Sequence, residues 1–145
     1  MSKVEGFLTR SEEQEIIEAI RLAEKNTSGE IRVHLEKSTE KDTLERAKEV
    51  FYFLKMDTTK EHNGVLFYVA VEDKKFSIIG DKGIDDLVPD DFWNSIKDNV
   101  ISQFKNGNYT EGLKQGILES GVKLKQYFPY QSNDKNELPD SISLS

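Results

Sequence analysis

The chain has 145 residues, the usual size of one domain, and a chain of about 150 residues buries roughly 68–70% of its unfolded surface, enough for one core. It contains no cysteine, which excludes disulfides, thiolate metal sites and a cysteine nucleophile. With 27 acidic against 20 basic residues, a net charge of −7 and a pI near 4.9, it lacks the basic footprint that nucleic acid or an anionic membrane needs, and it suits cations or basic surfaces better.

The sequence opens Met-Ser-Lys-Val-Glu-Gly without an apolar leader, and no apolar run reaches the length of about 18 residues that a spanning helix needs. As it stands it is expected to be cytoplasmic, with no direct membrane insertion. Thr9 and Ser11 are each followed three residues on by Glu12 or Gln14, the capping-box arrangement that starts a helix. Ile16, Ile17, Ile20 and Ala23 then recur on one helical face. Asn26-Thr-Ser-Gly29 breaks that helix. Residues 30–36 alternate polar and apolar, the pattern of a strand with one face buried and a place near a sheet edge.

Leu44, Ala47, Val50, Phe51 and Leu54 give a second amphipathic helix, opened by Asp42 or Thr43 and ended before Met56. Residues 65–71 form an unbroken apolar run rich in β-branched and aromatic types, as expected of a strand covered on both faces. The strand–helix–strand order is a crossover that makes the two strands parallel. Glu72-Asp-Lys74 supplies a turn, and Phe76-Ser-Ile-Ile79 returns as an antiparallel partner. Pro89 suits the first turn of a third helix carrying Phe92, Trp93, Ile96, Val100 and Phe104, closed by Asn106-Gly-Asn108 as a left-handed cap. Thr110 is expected to cap a fourth helix, in which Gly112, Gly116 and Ser120 lie four apart for close packing against the sheet. Residues 1–129 therefore read as one domain and 130–145 as a disordered tail.

Taken in order, Ser28-Gly29-Glu30-Ile31-x-Val33, Asn63-Gly64-Val65-Leu66-Phe67-Tyr68-Val69-Ala70, Phe76-Ser77-Ile78-Ile79-Gly80, Gly83-Ile84, Trp93, the turn from Phe104 to Tyr109, Gly112-Leu113, Gly116-Ile117 and Tyr127-Phe128-Pro129 resemble the TPM domain. That family takes its name from a thylakoid lumen protein, a photosystem II repair factor and a nematode receptor modulator. The resemblance covers roughly residues 8–129. It implies a three-layer α/β/α sandwich with a small mixed sheet and about four main helices. It also implies accessory or modulatory roles with protein partners, some of them at membranes, and, for plant lumenal members, an acid phosphatase activity with divalent cation binding. Many members carry Asp in the turn before the central strand, where this sequence has His62 and Asn63.

Asp81, Asp85, Asp86, Asp90 and Asp91 place five carboxylates in eleven residues directly after the hairpin. Hard cations, Ca2+ or Mg2+, take such oxygens, although the spacing is not that of an EF-hand. Asp90 and Asp91 have a simpler explanation at a helix start, where the dipole favours anions, and Asp85 or Asp86 as caps of a short turn. Asp81, outside any expected helix, is the strongest candidate. His62 is a candidate proton donor if its loop faces Asp81, against the plainer reading of a solvated loop residue; His34 reads as a polar-face strand residue. Trp93 reads as core; an exposed Trp, or the cluster of Tyr127, Phe128 and Tyr130, is the alternative as a partner anchor. The expected binding surface is Asp81, Asp85, Asp86 and Asn63. The expected function is a noncatalytic accessory module for an unknown protein partner, modulated by a divalent cation. The alternative is a phosphomonoester hydrolase in which Asp81, Asp85 or Asp86 holds the cation.

Overall fold

The computed structural model describes residues 7–130 and 142–144. Helix α1 (Arg10–Glu24) begins on a complete capping box. Thr9 Oγ1 accepts from the Glu12 N–H at 3.1 Å, and Glu12 Oε1 accepts from the Thr9 N–H at 2.9 Å. There follow β1 (Glu30–Glu36), α2 (Thr43–Phe53) capped by Asp42, a 3-10 turn (Met56–Thr58), β2 (Gly64–Ala70), β3 (Lys75–Gly80), the one-turn α3 (Lys82–Asp85), α4 (Asn94–Lys105), α5 (Tyr109–Leu124) and β4 (Ser143–Leu144).

The sheet has the order β3-β2-β1-β4. β1 runs parallel to β2 from Glu30↔Gly64 to Glu36↔Ala70, and β2 pairs antiparallel with β3 from Val65↔Gly80 to Ala70↔Lys75. Every residue of β2 is buried, as its apolar run requires. Val65, Phe67 and Val69 enter the larger core with α1, α4 and α5, and Leu66, Tyr68 and Ala70 enter a smaller one under α2. This is the expected sandwich of helices on both faces of a mixed sheet.

Three expectations change. β1 is covered on both faces, because α2 lies over the side that carries His34 and Glu36. Pro89 does not open a helix: residues 90–93 are turn, the Phe92 N–H donates to the Pro89 carbonyl at 3.0 Å, and α4 starts at Asn94. Asp90 and Asp91 therefore precede the helix rather than sit in its first turn. Thr110 lies inside α5, whose N-cap is Asn108; its hydroxyl donates to Glu12 Oε2 at 2.5 Å and ties α5 to the start of α1. Gly107, at φ +79°, closes α4 in the left-handed conformation expected there. Of the expected disordered tail, residues 131–141 and 145 lie outside the described residues, while Ser143–Leu144 form β4.

α5 is the spine of the larger layer because small residues let both neighbours approach. A Cβ on Gly116 would stand 2.7 Å from Val100 Cγ2 of α4 and 3.1 Å from the Phe67 ring of β2. One on Gly121 would stand 2.8 to 2.9 Å from the Cα, Cβ and carbonyl oxygen of Ala23 in α1. Backbone atoms cannot swing aside as a side-chain tip can. Gly121→Ala should therefore separate α1 from α5 at a cost of about 1–3 kcal/mol, read as a fall in melting temperature of about 2–4 °C per kcal/mol.

Under α2 lies a buried polar network. The Glu36 carboxylate accepts Arg46 Nη2 at 2.6 Å and Nε at 2.9 Å, and also the Tyr68 hydroxyl. His34 is 2% exposed, its ring stacked near Tyr68 and its Nδ1 2.8 Å from Ser143 Oγ. It is a buried group, not the polar-face residue the strand pattern suggests. Burial pushes the His34 imidazole down to about 4; Glu36 opposes the shift, and the Arg46 and Arg32 charges add to it. The unfolded ring titrates near 6.5, so between these values the unfolded state binds more protons, and stability falls as pH drops from about 6.5 to about 4. His34→Gln, which keeps a hydrogen-bonding side chain without the titration, should lose less stability than the parent between pH 7 and pH 5 in urea unfolding.

Candidate functional site

At the end of the sheet where β1 and β2 begin and β3 ends, two loops are bonded backbone to backbone. The Asp81 N–H donates to the Gly64 carbonyl and the Gly83 N–H to that of His62, both at 2.9 Å. Gly83 permits this approach, since a Cβ there would fall 2.3 Å from the Glu61 carbonyl oxygen and 2.5 Å from that of His62. His62 holds a left-handed backbone at φ +51°, a conformation in which histidine is enriched but still uncommon. The condition for His62 to reach Asp81 is thus met.

Asp81 is not outside a helix, as its sequence context suggested. It is the N-cap of α3, with Oδ1 accepting from the Lys82 N–H at 2.8 Å. That role occupies one oxygen. Oδ2 lies 3.5 Å from His62 Nδ1, within ion-pair range but outside hydrogen-bond geometry, and neither atom has a hydrogen-bond partner. Asp81 is 6% exposed, so this oxygen is buried beside an imidazole that does not satisfy it.

Both residues line a crevice of about 570 Å³ between α2 and the end of β3. α2 contributes Leu44, Lys48, Phe51 and Tyr52, the 3-10 turn Asp57, and the far wall Lys82, Asp85 and Trp93. The Trp93 Nε1–H is also buried without a partner. Sequence reasoning placed Trp93 in the core; its ring does pack on Phe92, but it also faces the crevice. Lys48 and Tyr52 were missed. Tyr52, 62% exposed on an amphipathic helix whose buried stripe is Ala47, Val50 and Phe51, was the available signal.

The remaining candidates separate. Asp85 reaches the crevice, and its carboxyl is raised above the usual range by burial and then by the like charges of Asp81 and Asp86, with Lys48 opposing. Asp86 is the exposed C-cap of α3 and does not line the crevice. Asn63 is 1% exposed, and its amide donates to Ser28 Oγ at 3.3 Å and to Glu61 Oε2 at 3.2 Å. It ties the start of β1 to the start of β2 rather than presenting a surface. Among the described residues no three His, Asp or Glu side chains converge as a cation site requires.

The geometry suits a ligand that brings a hydrogen-bond donor to Asp81 and an acceptor to Trp93 in a partly apolar cleft. No helix among the described residues is long and apolar enough to cross a membrane.

Residues 1–122 match the family model described as TPM domain. The NMR structure of the BA42 protein from the psychrophilic bacterium Bizionia argentinensis is 58% identical, with a TM-score of 0.93 over 100% of both chains. The solution structure of the N-terminal domain of a P. gingivalis protein has a TM-score of 0.71 at 21% identity, covering 88% of this chain and 84% of that one, a likeness that shows the fold alone. No curated protein matches the chain.

Gly83→Ala should push the loops around His62 and Asp81 apart, because both obstructing atoms are backbone oxygens. The expected readout is a lowered melting temperature together with displaced amide resonances in residues 61–64 and 80–85, the rest of the spectrum holding its positions.

Proposed function

We propose, because this chain belongs to the TPM domain family, that it is a noncatalytic accessory module whose crevice receives a basic side chain of a protein partner. The observation that carries this reading is the buried Oδ2 of Asp81, which has no hydrogen-bond partner at the wall of the crevice. A buried acceptor left unpaired costs about 1–3 kcal/mol, and an incoming Lys or Arg recovers that cost while its stem lies along Phe51, Ile79 and Trp93. The net charge of −7 draws the same class of partner.

A second reading, phosphomonoester hydrolysis, is favoured by one contact. His62 Nδ1 at 3.5 Å from Asp81 Oδ2 places an imidazole and a carboxylate together in a cleft, the pairing that proton transfer requires. In it His62 would move the proton and Asp81 would orient the ring.

The two readings part in one experiment on purified protein. Lys- and Arg-containing tripeptides are titrated into isotope-labelled chain, and para-nitrophenyl phosphate turnover is followed with and without Ca2+ or Mg2+. The expected result is saturable amide shifts in residues 61–64 and 80–85, abolished by Asp81→Asn, with no turnover. Metal-dependent turnover that Asp81→Asn removes would replace the binding reading with the hydrolytic one.

A further inference from the structure

The outer edge of β1 is closed by the chain's own C-terminus. β4 pairs parallel with it over two positions, His34↔Ser143 and Leu35↔Leu144. Ser143 Oγ meets His34 Nδ1 at 2.8 Å, and the preceding Ile142 packs against the larger core. Nearer its start the same edge is sealed differently. The Ile31 N–H donates to Glu24 Oε2 of α1 at 3.0 Å, so only the second half of β1 takes a strand.

Two strand residues are a weak closure, and chain length does not enforce it. The Phe128 carbonyl is held beside the start of β1 by the Ser28 N–H and the Thr27 hydroxyl. From Thr27 to His34 is about 23 Å at a strand's rise, whereas the chain from Pro129 to Ser143 spans about 46–50 Å when extended. The connection is long enough for β4 to sit on the edge or to leave it. Leu144 is 45% exposed even in place, and Phe53 beside it is 83% exposed; with Val50 and Arg46 they border a cleft of about 380 Å³.

Arg32 stands two residues before His34 on the same face of β1, and its Nε is buried with no hydrogen-bond partner among the described residues. A strand continuing the register of β4 sets the residue two positions before its serine opposite Arg32. In this chain's sequence that position is Ser141, which brings no charge.

We propose that the second half of the β1 edge is a docking site for an extended segment of a partner protein with the order acidic, apolar, Ser or Thr, apolar, and that β4 is the resident competitor for that site. Strand addition gives affinity through the backbone, and pockets for alternate side chains give selectivity. The hydroxyl meets His34, the apolar residues take the places of Ile142 and Leu144, and the acidic residue pairs with Arg32. A tethered tail acts at an effective concentration of order millimolar, so the partner must bind the bare edge more tightly than the tail does. The Arg32 pair supplies that difference. The site lies on the β1 side of the sheet, away from the β3 end that carries the crevice, and does not depend on the reading of Asp81.

The test uses full-length protein and two fluorescent heptapeptides, the tail sequence Pro-Asp-Ser-Ile-Ser-Leu-Ser and the same peptide with Ser141→Asp. Ser143→Pro removes the β4 N–H that points at β1, since residues 33 and 35 of β1 face this edge in the parallel register, and Ile142→Asp removes an apolar anchor; both are expected to free the edge in a folded chain. Anisotropy should show both variants binding both peptides about tenfold more tightly than the parent. The Ser141→Asp peptide should bind about fivefold more tightly than the tail peptide, a preference that Arg32→Gln erases. Amide shifts should fall on residues 33–36. Equal affinity of the parent and both variants, or shifts confined to residues 61–64 and 80–85, would overturn the proposal.

Discussion

Strand β2 has no exposed residue, and this imposes the rest of the architecture. A strand cut off from water on both faces must have its backbone N–H and C=O groups paired along both edges, because each one left unpaired would cost as much as several good contacts return. β1 meets that demand on one side and β3 on the other. The parallel partner needs a crossover, which brings α2 over one face; the other face is left to α1, α4 and α5. The two loops that begin β2 and end β3 are forced together by the same pairing, since the ladder runs out at Val65↔Gly80 and the next backbone bond is already between Asp81 and Gly64. The crevice is thus a by-product of how the central strand ends.

Among the buried polar groups of the described residues, those under α2 and those at the crevice differ in kind. Under α2, the Glu36 carboxylate is surrounded by donors, so that network reads as structural cement. At the crevice, Asp81, His62 and Trp93 each keep a buried polar atom without a partner. A folded protein tolerates few such atoms, and three at one cleft are what support the functional reading proposed above. The charges of Lys48 and Lys82 at the rim limit how much positive charge the cleft accepts, so the proposed ligand is one basic side chain rather than a cluster.

The hairpin and the crossover were legible because their signals are local and strong: an apolar run through residues 65–71, a polar turn, and a second apolar run. The thin reading of β1 failed because Arg32, His34 and Glu36 look like a solvated face; the groups that bury His34 and Glu36, Arg46 and Tyr68, stand far away in sequence. Pro89 misled in the opposite direction. It is compatible with a helix start, and no local rule says that the chain will make a turn first and begin α4 at Asn94. Asp81 was singled out for a reason the structure removes, since it does cap a helix, and it keeps its interest for a reason no sequence shows, the burial of its second oxygen. β4 carried no signal at all, because two residues of ordinary composition have no periodicity to read.

Trp93 is the chain's single tryptophan, and it stands in the wall of the crevice with its ring edge-on to Phe92 and its indole N–H shielded from solvent. The molecule therefore carries one intrinsic fluorophore at the place where a ligand would sit. Emission from a shielded indole lies toward the blue, and a hydrogen bond made to its N–H or an opening of the cleft to water moves it toward the red. Occupancy of this site can be followed optically in the unmodified chain, with no second indole to dilute the signal.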